Sequence, residues 1–192
     1  MTDEKRDRAK IDVGKRFSIN PEIKIDKKIS SGSHQFNDVF VGFQTLTAVR
    51  GIFGKELEKE LGHLKVEVFP KEGFMGVSDE DGHIFASQQY VNNGEFWSVY
   101  LDVIHELVHV RQFREGKNLF DPKFSYVDRP TEIEAYKVAV IEARRIGMSE
   151  EEIFEYLEVP WITDEEHMRL ARSTGVKLRE KPSPKNKKEK AD

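Results

Sequence analysis

Residues 96–115 restrict this chain more than any other segment: Val99, Val103, Leu107, Val108 and Val110 recur at helical spacing, and Gly116 follows as a C′ residue. Within that run stand His105, Glu106 and His109. Four residues along a helix amount to about 6 Å of rise and about 40° of rotation, so both imidazoles face one way. A single zinc ion at about 2.0 to 2.1 Å from each nitrogen can bridge them. Glu106 points to the side of such a metal, where a carboxylate can deprotonate water, and Leu107 and Val108 anchor the helix in the core. With 6 histidines in 192 residues, random ordering produces this five-residue pattern about 2% of the time.

The chain contains no cysteine, which excludes disulfides and thiolate ligands and leaves His, Asp, Glu or water to hold any metal. Its 192 residues suit one globular domain with a small appendage. No apolar run approaches the roughly 20 residues needed to span a bilayer, and residues 1–10 are polar, so a soluble cytoplasmic protein without a membrane partner is expected. The net charge of −4 gives no global drive toward nucleic acid. Residues 176–192, however, carry seven Lys or Arg against three acids and form a basic tail expected to be disordered. Nucleic-acid contact through that tail is the minor reading beside a solubilising role.

Along the chain, Phe17, Ile19, Ile23 and Ile25 alternate with polar residues and suit a strand or an extended arm within residues 1–32. Residues 36–61 read as one long helix or two short ones, interrupted at Gly51 and Gly54. Residues 64–69 form a strand, and residues 74–77 and 83–91 form a hairpin around Asp79-Glu80-Asp81-Gly82. Ile84 to Val91 is a candidate edge strand on which an extended peptide can add by backbone pairing. A second strong helix runs from about Thr131 to Ile146, and Ser149-x-x-Glu152 and Thr163-x-x-Glu166 match the capping box of two smaller ones.

A catalytic zinc usually takes a third protein ligand, and the helix after the histidines offers Glu132 and Glu134. Glu132 heads a stripe of Ala135, Tyr136, Ala139 and Ala143, small residues that permit close helix approach, so helix phase favours it. Glu134 remains the alternative, although Thr131-x-x-Glu134 matches a capping box that gives it a structural use. His34, His63, His83 and His167 lie in polar contexts and are expected to be solvated or locally bonded.

With His105-Glu106-Leu107-Val108-His109 on one helix and Glu132-Ile-Glu-Ala-Tyr136 on the next, residues 64–146 resemble the gluzincin metallopeptidases, in particular their small soluble members. The resemblance implies an α+β, zincin-like fold in which a small, mostly antiparallel sheet packs on an active-site helix and a following glutamate helix. The pattern along the chain leads us to expect a domain over residues 1–147, followed by a helical appendage at 148–175 and the tail at 176–192. The resemblance also implies Zn2+ held by His105, His109 and Glu132, with Glu106 as the catalytic general base hydrolysing a peptide or protein substrate. Tyr136 departs from the family, which often has Asp or Asn there to orient a ligating histidine, and its hydroxyl is the group left for that hydrogen bond. Tyr126, Tyr136, His83 and Arg129 are unranked candidates for donation to a developing oxyanion. The alternative from another class is a zincin-fold metal-binding or regulatory protein without turnover.

Overall fold

The computed structural model describes residues 16–177. The start of the arm and residues 178–192 of the basic tail, with its nucleic-acid reading, lie outside the described residues. The described part of the arm joins short extended stretches by turns at residues 21–22 and 27–28, and it buries Phe17, Ile19, Ile23, Ile25 and Ile29 in the core. The Ser18 N–H donates to the Ile146 carbonyl at 2.8 Å, and Lys24–Ile25 (β1) forms a short antiparallel pair with Phe40–Val41.

After the strand Gly32–Gln35 (β2) come three short helices, Phe36–Val39 (α1), Thr47–Phe53 (α2) and Leu57–His63 (α3), with Phe40–Val41 (β3) between the first two. They replace the one or two helices expected over residues 36–61. Gly42 and Gly54 break the run at φ values of 86° and 55°. At Gly42 a side chain is excluded twice over, since a Cβ there would also sit 2.9 Å from the Glu22 carbonyl oxygen.

The strands Lys65–Phe69 (β4), Met75–Val77 (β5) and Ile84–Ser87 (β6) complete a four-stranded sheet in the order β2-β4-β6-β5. Val66 and Val68 of β4 are buried while Lys65 and Glu67 face out, the alternation of a sheet with one covered face. β4 pairs in parallel with β6, and the β2–β4 and β5–β6 pairs are antiparallel. The expected hairpin forms from β5 and β6, but its second arm ends at Ser87, and Gln88–Asn93 (α4) follows as a helix capped by the Ser87 hydroxyl. β6 is therefore interior, and the edge beside the long helices is β5. The edge expected at Ile84 to Val91 is displaced to Met75–Val77 because β6 has β4 on its other side.

Two helices frame the site. Phe96–Arg114 (α5) is buried on every side over residues 103–110, and it makes the most extensive contact in the described fold with Pro130–Arg145 (α6). Ala135, Ala139 and Ala143 are fully buried, and these small side chains let the α6 backbone come close. Away from the site, the buried Glu142 of α6 accepts from the Tyr100 hydroxyl and pairs with Arg145, which ties the helices together. Glu150–Tyr156 (α7) and Asp164–Ser173 (α8) begin with the two expected capping boxes. They bury Ile153, Tyr156, Leu157, Leu170 and Ala171 in the same hydrophobic cluster as α5 and α6. The described fold is thus α+β, with a small sheet and several helices. Among the described residues no helix is long and apolar enough to cross a membrane.

Candidate metal centre

The helical spacing of His105 and His109 brings their Nε2 atoms to 2.9 Å from each other. From α6, Glu132 Oε2 lies 3.3 Å from the first and 3.4 Å from the second. Around a zinc ion with ligands at about 2.0 to 2.1 Å, the edge of a tetrahedron is about 3.3 Å, so this triangle has the size such an ion needs. His105, His109 and Glu132 are 6%, 6% and 5% exposed, and Glu132 Oε2 has no hydrogen-bond partner. A buried carboxylate oxygen in that condition is rare unless a cation satisfies it. The three residues therefore form a group able to hold a metal ion.

Electrostatics within the triangle are strongly coupled. Burial pushes His105 below its ordinary pKa. Burial pushes His109 the same way, but the Glu132 carboxylate outweighs it and takes His109 up to about 9. Burial alone would raise Glu132, and the two imidazoles instead hold it well below the usual carboxylate range. A proton and a metal ion compete for the same nitrogen lone pairs.

Glu106 is 7% exposed, its Oε2 has no partner, and burial together with the Glu132 and Asp102 carboxylates raises its pKa to about 8. It faces two cavities. One, of about 160 Å³, is bounded by β5, Phe85, Leu119 and Phe120, with His105, His109 and Glu132 in its wall. The other, of about 140 Å³, is lined by six aromatic residues, among them Tyr90, Tyr156 and Trp161, and contains His105 and Asp102. Along the first, Gly76 sits opposite Phe85, whose ring tip lies 2.5 Å from where a Cβ would stand, so a larger residue at this position would push the Phe85 ring aside.

Glu134 is not part of the triangle. It accepts from Arg111 at 2.6 Å, from Gln112 at 2.8 Å and from Lys117 at 3.1 Å; burial raises its pKa, and these donors together outweigh burial and bring it to about 2. The capping box expected at Thr131 does not form: α6 starts one residue earlier, at Pro130, and the Thr131 hydroxyl donates to the Leu119 carbonyl. Tyr136 does not orient an imidazole by hydrogen bonding either. Its hydroxyl pairs with that of Tyr126 at 2.8 Å, while its ring packs on His105 with centroids 4.3 Å apart, and His105 Nδ1 has no partner.

The orienting residue that sequence reasoning missed is Gln112. Fully buried one turn beyond His109, it accepts from His109 Nδ1 at 2.7 Å, and its own amide donates to the Thr131 carbonyl and to Glu134. Donation from Nδ1 leaves the His109 Nε2 lone pair facing the site. A polar residue at i+3 on the histidine face was the available signal.

Of the oxyanion candidates, Tyr126 borders both cavities and Tyr136 only the second. His83 instead bonds to Asp81 in the hairpin turn, and Arg129 lies over the Phe120 and Tyr126 rings. His34 and His63 bond locally to the carbonyls of Ser30 and Lys59, as expected, whereas His167 is buried, stacks on Phe154 and bonds to its carbonyl between α7 and α8. No protein family, curated protein or solved structure matches this chain, so the reading of the site rests on its own geometry.

Proposed function

We propose that this protein is a zinc-dependent peptidase of gluzincin type, with His105, His109 and Glu132 as metal ligands and Glu106 as general base. The observation that carries the reading is the buried triangle of tetrahedral size with an unpartnered Glu106 carboxylate beside it. Bound there, zinc would supply Lewis acidity toward a carbonyl group and toward water. Glu106 would take the proton of the attacking water and return it to the leaving amine, a role open to a carboxylate with a free oxygen. The Tyr126 hydroxyl, at the junction of the two cavities, is the donor best sited for the oxygen of the scissile carbonyl.

A peptide is favoured over a compact small molecule by β5, which has one strand neighbour and borders the metal-side cavity. Its outer backbone groups offer an extended chain the pairing of an added strand.

The test is elemental analysis of the purified full chain, followed by a peptide-library digest with and without zinc. One equivalent of zinc, cleavage in its presence, and a Glu106→Gln variant that keeps the metal but cleaves nothing are the expected results. Failure to bind zinc after mild chelation and restoration would remove the reading. Zinc retained with no cleavage of diverse peptides would leave a metal-binding or regulatory protein instead.

A further inference from the structure

The aromatic cavity on the far side of Glu106 has a wall whose composition selects for one charge. Tyr90, Phe74, Trp161, Tyr126, Tyr136 and Tyr156 follow one another around it, with successive ring centroids 5.7, 5.3, 5.7, 6.4 and 6.4 Å apart. The circle closes on Asp102. The Tyr156 hydroxyl donates to Asp102 Oδ1 at 3.0 Å, and the Tyr90 hydroxyl donates to Oδ2.

The carboxylates give the wall unused acceptor capacity, beside the one hydroxyl proton that the Tyr126–Tyr136 bond leaves over. Tyr126 and Tyr136 bond to each other, and the other two hydroxyls are committed to Asp102. Each Asp102 oxygen has one tyrosine partner and keeps a further lone pair. Glu106, nearly buried, contributes an oxygen with no hydrogen-bond partner, the exposed Glu158 adds a second carboxylate beside Asp102, and neither Lys nor Arg lines the cavity. Burial raises the Asp102 pKa to about 6, and the two tyrosine hydroxyls that donate to it favour its ionised form. An anion would meet carboxylates and ring faces, and a purely apolar group would seal Asp102 off from water without compensation. A cation finds both the negative faces of the rings and a charged acceptor.

We propose that this cavity binds a positively charged nitrogen of the substrate, either the side chain of a Lys or Arg next to the scissile bond or a free α-ammonium group. The proposal rests on the peptidase reading for its substrate, since the cavity shares His105 and Glu106 with the metal centre. The binding itself is independent of turnover. Asp102 is then a specificity residue, with Trp161, about half exposed, at the mouth.

The test is calorimetric or NMR titration of the zinc-loaded full chain with four probes: N-acetyl-lysine methylamide, N-acetyl-norleucine methylamide, alanine methylamide and N-acetyl-alanine methylamide. At least about tenfold tighter binding of one charged member than of its neutral counterpart is expected, and the winning pair identifies the source of the nitrogen. Asp102→Asn should erase that preference. Should Asp102→Asn fail to fold, Trp161→Leu serves instead, because it keeps apolar area and loses a ring face; the charge preference should drop at least about threefold. Equal binding of charged and neutral probes overturns the proposal, as does a preference left unchanged by the substitution in a folded variant. Cleavage indifferent to basic residues and free amino termini overturns it while leaving the peptidase reading intact. Charge-selective binding without any cleavage supports it and removes that reading.

Discussion

The two imidazoles of the site stand one turn apart on one helix, yet they are held by different physics. His109 is fixed by a hydrogen-bond chain that runs through Gln112 to Glu134 and ends on Arg111 and Lys117 at the surface. His105 has no such chain; its Nδ1 is unpartnered, and the Tyr136 ring holds it by contact. A hydrogen bond defines a tautomer and a direction, whereas packing defines only a plane. The His109 side is therefore the electrostatically tuned half of the centre. The His105 side is shaped by the aromatic wall of the cavity next to it.

This contrast can be broken at several points. The largest effect is expected at Tyr136→Ala, which removes the packing that holds His105 and opens a cavity between α6 and the aromatic wall. By analogy with other aromatic truncations it should cost about 3 to 5 kcal/mol, measured by urea unfolding. Gln112→Leu cuts the His109 chain and should weaken zinc about 10- to 100-fold in chelator competition. It also leaves the Thr131 carbonyl without that donor. Equal zinc affinity in Gln112→Leu and wild type would erase the distinction between the two halves. Tyr136→Phe keeps the ring and loses only the hydroxyl, so zinc affinity should stay within about threefold of wild type. A large loss there would mean that the hydroxyl supports His105 after all.

The smallest effect belongs to a control outside both halves. Glu150 accepts from Arg144 at 2.7 Å, and that bond holds its pKa at about 2. A carboxylate depressed on folding contributes stability that is present above its unfolded pKa and lost as pH falls through the folded one. The difference between wild type and Glu150→Gln should be about 0.2 to 1 kcal/mol at pH 7. It should shrink between about pH 4.5 and pH 2, with zinc affinity unaltered.

Legibility in the sequence followed the range of the interaction. The spacing of His105 and His109 is a property of one helix, and the Ser149 and Thr163 capping boxes each close within three residues, so all could be anticipated. Glu132 was readable because the alanines after it mark the α6 face that meets α5. Glu134 was misread as a capping residue because its ligands, Arg111 and Lys117, come from elsewhere in the chain. Gln112 and Asp102 were missed for a related reason. Each is a single polar side chain on α5 whose role comes only from its neighbours on other elements.

By itself, the sequence determined the two long helices and their ends, the α+β character, the exclusion of thiolate chemistry and the direction of both imidazoles. Backbone periodicity and residue chemistry act over one or two turns, and no partner is needed to read them. Tertiary structure alone decided that β5 rather than β6 is the edge strand. It also decided that Gln112 rather than Tyr136 orients an imidazole and that six aromatic residues, from positions 74 to 161, line one cavity together with Asp102. Those outcomes depend on which buried surfaces meet, and close packing fixes that for the whole chain at once.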